Sequence, residues 1–350
     1  MPRDRRRTPP RSPAGGSWSL AIALATVGVV GTFLALAAVP GLVAREIDAG
    51  RSGPNAAASA AVPGTIAVEP VSFRDVEIGR SLFHDRRLSA DGSVSCASCH
   101  RLESHGVDGR ELAIGVGGRV GSFNTPSLYN LEHSHRFGWK GEARAIEDLI
   151  DGAVEDADML ATNWARVERL VGEDATLRVE LERRYGAADR SAVRRALADF
   201  IRRLRTPGAP YDAWLGGEAS ALDDAARRGE ALFDDLGCNA CHQGTGFGGT
   251  VRQSLGVMDD VYLALAPEGA GRSPIADRWP GLGALRVPPL RNVAATGPWF
   301  HDGSVASLSE AVRLMARHQL GIEPSETEIR DLVAFLESLT GRLPSEVTGR

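Results

Sequence analysis

Three kinds of stretch follow one another along the chain. The first is an apolar run without a single charge, Trp18 to Ala44, preceded by Arg3, Arg5, Arg6 and Arg7. Its 27 residues exceed the roughly 7–15 of a signal-peptide core and reach the ~20 that cross a bilayer. An uncleaved N-terminal anchor is therefore expected, with the arginines on the inner side. Ala35 and Ala37 would also suit a cleavage site, and in either case the body is exported. The second kind, Arg51 to Pro70, is rich in Ala, Gly, Pro and Ser and reads as a flexible tether.

From Val71 onward the pattern is amphipathic. In Ala196–Leu204 and again in Asp331–Leu339, Leu, Phe and Leu fall at helical spacing with charges on the other face. Ser325 and Glu328 form a capping box at the start of the last helix. No alternating strand pattern of any length occurs, so a mainly α fold is expected. Two further blocks repeat: Gly79-Arg80-Ser81-Leu82-Phe83-His84-Asp85 and Gly229-Glu230-Ala231-Leu232-Phe233-Asp234-Asp235. Glycine-rich Gly115 to Gly121 and Pro- and Gly-rich Pro267 to Pro289 are long loops of the kind that carry function.

Each block leads into a C-x-x-C-H motif, Cys96-Ala97-Ser98-Cys99-His100 and Cys238-Asn239-Ala240-Cys241-His242, and these use all four cysteines. Two thiols on one turn can add to the two vinyl groups of a porphyrin, and the next histidine then ligates the iron. A zinc ribbon would place its cysteine pairs about 15–20 residues apart; here they are 142 apart. A redox-active C-x-x-C would call for a strand–turn–helix context, which is lacking. Two covalently bound c-type haems are the expected cofactors. An opening helix, a haem motif and a closing helix, repeated, describe two tandem cytochrome c-like domains. The expected division is a basic cytoplasmic N-terminus (1–17), an anchor or signal segment (18–44), a linker (45–70), an N-terminal haem domain (71–206) and a C-terminal one (207–345). Thr206-Pro207-Gly208-Ala209-Pro210 marks the boundary.

Composition narrows the partners. The chain of 350 residues carries 40 basic and 45 acidic side chains, a net charge of −5. Without a basic block in the body, nucleic acid is a poor partner. A mildly acidic surface suits a small basic redox protein.

These residues resemble the bacterial di-haem cytochrome c peroxidases over roughly Val71 to Pro344. The resemblance is carried by Leu82-Phe83 through Arg87-Leu88-Ser89, by Asn124-Thr125-Pro126-Ser127-Leu128 and by Thr206-Pro207 through Pro210-Tyr211-Asp212. Its strongest block is Val287-Pro288-Pro289-Leu290-Arg291-Asn292-Val293, continuing through Thr296-Gly297-Pro298-Trp299-Phe300-His301-Asp302-Gly303. It implies that peroxide is cleaved at the haem on His100 and that electrons enter at the haem on His242. A second iron suits a reaction that needs two electrons. It further implies Met315 as axial ligand of the entry haem, although a core methionine is the commoner fate of that residue and His318 shares its helix face. Trp139 matches a tryptophan lying between the haems, with Lys140 in place of an aspartate. Asn124, Thr296 and Pro298 match the ligands of one calcium ion, to be held by an amide and two carbonyls.

The pattern departs in two places. Where typical members carry a distal histidine, this chain has Ile114-Gly115-Val116-Gly117-Gly118. The first haem is then open, or another histidine (His105, His133 or His135) replaces the missing one. Where the family has Glu-Met, this chain has Asp158-Met159, which makes Asp158 the candidate acid–base; a distal glutamine is replaced by Leu149. The leading expectation is a peroxidase that reduces hydrogen peroxide with electrons from a cytochrome c or small copper protein. It would be tethered on the outer side of the cytoplasmic membrane and could pair as a homodimer. The alternatives are a di-haem enzyme that oxidises a protein or peptide through high-valent iron, and a non-enzymatic electron carrier.

Overall fold

The computed structural model describes residues 64–66, 73–258 and 283–348. The apolar run 18–44, most of the tether and residues 267–282 of the second long loop lie outside the described residues. No helix among the described residues is long and apolar enough to cross a membrane.

The described part is mainly helical. Each half is organised around one crossed helix pair. In the first, α1 (Glu77–His84) packs on α6 (Arg190–Arg202). Asp189 starts α6 by accepting the Ala192 N–H at 2.9 Å, which satisfies one of the free donors of the first turn. In the second, α8 (Asp224–Asp235) packs on α10 (Glu326–Ser338). The box expected at Ser325 is present: its N–H donates to Glu328 Oε2 at 2.7 Å, and the Glu328 N–H donates to Ser325 Oγ at 3.3 Å.

Both crossings depend on glycine. A Cβ at Gly79 would lie 2.0 Å from the Ala196 carbonyl oxygen, and one at Gly229 1.9 Å from that of Asp331. Phenylalanine then fills the angle between the helices. Phe83 and Phe200 have ring centroids 5.1 Å apart, Phe233 and Phe335 5.3 Å. Each pair anchors its own buried core, one running from Phe73 to Leu204 and the other from Tyr211 to Leu339.

The first half adds α2 (Cys96–Cys99), α3 (Ile146–Glu155), α4 (Trp164–Glu173) and α5 (Ala175–Tyr185). The second adds α7 (Pro210–Leu215) and α9 (Leu308–Met315). Two three-residue strands, β1 (Arg252–Ser254) and β2 (Ala284–Arg286), pair antiparallel with Arg252 opposite Arg286; strands this short leave no alternation to read. In the stretch expected to be a tether, Gly64–Ile66 are in place. Ile66 is buried, and the Gly64 carbonyl accepts from Arg291 Nη2 at 2.8 Å.

Candidate haem-binding and active site

The first motif sits on α2, begun by the Ser95 N–H donating to Ser98 Oγ at 2.9 Å. His100 follows the last turn, with Nδ1 3.2 Å from the Gly106 carbonyl. A carbonyl only accepts, so Nδ1 carries the proton and Nε2 is left for a metal. Burial lowers the pKa of His100, keeping the imidazole neutral as a ligand must be. The same burial pushes the Cys96 thiol up to about 12.

The second motif repeats this arrangement on a 3₁₀ turn, Cys238–Ala240. His242 Nδ1 lies 3.1 Å from the Phe247 carbonyl, and burial again lowers the pKa of the ring. Cys238 is raised to about 11 by burial.

Each motif walls a cavity. Cys96, Cys99 and His100 line the first with Phe83, Gly115 and Met159. Cys238, Cys241 and His242 line the second with Phe233 and Met315. Paired thiols, a neutral imidazole with Nδ1 occupied and mostly apolar walls fit a c-type haem in each. Met315 is the last residue of α9, and the chain continues as one π-turn, Ala316–Leu320. His318 lies in that turn, buried but not on the cavity wall. The sequence left Met315 and His318 as competitors; only Met315 faces the cavity.

Trp139, Asn124, Thr296 and Pro298 all line the second cavity. The Trp139 indole N–H donates to the Asn124 carbonyl at 2.7 Å. Asn124 Nδ2 donates to the Arg110 carbonyl at 2.7 Å, which leaves its side-chain oxygen as the hard donor a calcium ion would use. His301 stands 6.3 Å from Trp139 and 6.3 Å from Phe123, measured between ring centroids.

The first cavity is lined mostly by apolar residues. Gly115 lines it rather than Val116, which is buried elsewhere, with its N–H donating to the Met159 carbonyl at 3.0 Å. Leu149 and Met159 are on the wall; the half-buried Asp158 side chain is not. The Asp158 N–H donates to Asp156 Oδ1 at 2.8 Å. Among the described residues that line this cavity, His100 is the only histidine; His105, His133 and His135 lie elsewhere.

Paired cradles of this kind define a protein class, the di-haem c-type cytochromes. The profile of the family described as di-haem cytochrome c peroxidase matches residues 74–220. Cytochrome c peroxidase Ccp of Escherichia coli (strain K12) is 36% identical over 275 residues, 78% of this chain, which spans 59% of that relative's length. Cytochrome c551 peroxidase of Nitrosomonas europaea is 34% identical over 280 residues, 79% of this chain and 83% of the relative. A crystal structure of a MauG-like protein associated with microbial copper homeostasis is 26% identical, with a TM-score of 0.66 over 82% of this chain and 95% of that one. The chain belongs to the di-haem cytochrome c peroxidase family, a family of oxidoreductases that carry two haems.

Reading the sequence by motif missed two residues of the site and one that joins the two halves. His301 lay inside a quoted block without a role. Arg286 precedes the Val287 block by one position. Asn130 closes Thr125-Pro126-Ser127-Leu128-Tyr129-Asn130, which aligns with Val287-Pro288-Pro289-Leu290-Arg291-Asn292; comparing those two blocks with each other was the available signal.

Proposed function

We propose that this protein reduces hydrogen peroxide to water with electrons from a small redox protein, a cytochrome c or cupredoxin. The observation that carries this reading is the pair of cavities, each walled by a C-x-x-C-H histidine whose Nδ1 is already bonded to a backbone carbonyl. When bound, the two haems supply one-electron redox chemistry and a site for peroxide. Cys96, Cys99 and His100 would hold the reacting haem; Cys238, Cys241, His242 and Met315 would hold the one that accepts electrons.

Trp139 lines the second cavity and is tied to Asn124, so it relays electrons toward the first half. Asn124, Thr296 and Pro298 bind one calcium ion that stiffens this junction. Asp158 carries the proton. With its side chain off the cavity wall, it acts through a water. With Val116 in place of a histidine, His100 would be the one histidine among the described wall residues to hold the haem of the first cavity. The protein works outside the cytoplasmic membrane, tethered by residues 18–44.

Rapid mixing of the oxidised holo-protein with stoichiometric peroxide tests this reading, followed by steady-state oxidation of reduced cytochrome c. Rapid change at the His100 haem with donor turnover is the expected result. Peroxide consumption without donor turnover would favour oxidation of a protein or peptide substrate. No consumption in either the oxidised or the half-reduced state would leave an electron carrier.

A further inference from the structure

Among the described residues, the cavity beside His242 holds a charge without a counterpart. Arg286 lines it and is 3% exposed, and neither its Nε nor its Nη1 has a hydrogen-bond acceptor. Among the described residues, no aspartate or glutamate lines that cavity. The other arginine on the wall, Arg291, is already served: its Nη1 is 2.8 Å from Asp212, and it donates to the Thr245 and Gly64 carbonyls. Across the ribbon Arg286 stands directly opposite Arg252, a second positive charge, an arrangement that is destabilising by itself. A buried guanidinium without an anion is among the costliest features a fold can contain.

The position of Arg286 is nonetheless fixed. Its N–H donates to the Trp139 carbonyl at 2.8 Å. Gly141, on the same loop, packs closely against it: a Cβ there would lie 3.1 Å from Arg286 Cβ and 3.2 Å from Arg252 Cγ, so the arginines would have to give way. The loop and the ribbon therefore hold a planar, charged fork at the cavity wall, where its Nε and Nη1 find no acceptor among the described residues.

We propose that Arg286 clamps a propionate carboxylate of the haem attached at Cys238 and Cys241. This rests on reading His242 as a haem ligand. Propionates are the anionic groups such a cofactor brings, and a guanidinium meets a carboxylate through two parallel hydrogen bonds. The clamp has an electronic consequence. A positive charge held at the haem edge favours the state with one more electron, so Arg286 raises the potential of this haem in the same direction as Met315. It also ties that edge of the haem to the backbone of Trp139.

The test uses holo-protein carrying Arg286→Gln or Arg286→Lys. Haem content is counted first, then each haem is titrated by spectroelectrochemistry, and the propionate-bending band of the His242 haem is read by resonance Raman. Two haems per chain are expected in both variants. Gln should lower the potential of the His242 haem and leave that of the His100 haem in place. Lys should keep most of the potential, and both should shift the propionate band. An unchanged potential and band in a two-haem Arg286→Gln protein would overturn the clamp, as would a shift confined to the His100 haem. If Gln loses the second haem, the propionate band of Arg286→Lys decides in the same sense. Wild-type protein without haem at Cys238 and Cys241 would instead refute the reading on which the clamp rests.

Discussion

Asn130 and Asn292 hold equivalent places in the two halves and meet at a single hydroxyl. Both have left-handed backbone, φ 60° and 66°, and each begins a 3₁₀ turn. The Asn130 N–H donates to the Leu204 carbonyl at 2.7 Å and the Asn292 N–H to that of Leu339 at 3.2 Å. Their side-chain oxygens accept the N–H of the residue two further on, Thr206 at 2.9 Å and Gly341 at 3.0 Å. Each asparagine thus fastens the end of its own closing helix. Both then donate to Thr206 Oγ1, at 2.8 and 2.9 Å.

Thr206→Val should remove the shared acceptor without changing the side-chain shape. Two buried amides would be left unpaired, at about 1–3 kcal/mol each. Urea denaturation of the holo-protein should show that loss, and a wild-type midpoint would refute the shared role.

Gly79→Ala and Gly229→Ala each force a methyl onto a carbonyl oxygen, and nothing at a helix crossing can step aside cheaply. Overpacking of this kind costs about 1–3 kcal/mol or more. Both variants should melt earlier and incorporate less haem in the affected half, as measured by calorimetry and haem-to-protein ratio. Gly92→Ala makes a useful comparison, since nothing lies within 4 Å of its position; strain from its positive φ is the only cost there.

Met315→Ala should lower the potential of the His242 haem and leave the other unchanged, because a methionine ligand raises the potential. His318→Ala should leave both in place, since His318 is off the cavity wall. Separate redox titrations of the two variants distinguish ligand from neighbour.

Asp331 gives stability a pH dependence. The Arg228 guanidinium, bonded to it at 2.8 and 2.7 Å, holds its carboxyl below the usual range. A depressed carboxyl stabilises the fold above its unfolded value of about 3.9, and the contribution fades as pH falls through the folded one. Asp331→Asn should therefore lower Tm at pH 7, and the gap to wild type should close as the pH falls below the unfolded value and through the depressed folded one. A gap constant over that range would mean the pair adds nothing through charge.

The helices were legible because their signals are local. Leu197, Phe200 and Leu204 show the helical period, and the Ser325–Glu328 box lies within one turn. The haem motifs were legible because each is five residues long. Arg286 and the placement of Asp158 were not, because both depend on contacts between distant segments: a ribbon joining residues 252–254 to 284–286, and a loop crossing at Gly115. The choice between Met315 and His318 was also hidden, since the π-turn that separates their faces has no sequence signature at this length.

The bond from Arg291 to the Gly64 carbonyl joins residues 227 apart in sequence. During synthesis Gly64 leaves the ribosome ahead of both haem motifs, while its anchor is made when most of the chain is already out. Capture of the leading segment therefore waits for the trailing half to take shape, and long-range closures of this kind form slowly. The loop-entropy penalty grows only logarithmically with length, about 0.6 kcal/mol per doubling, so the latch is late rather than weak. The segment at Gly64 is thus made early and fixed late.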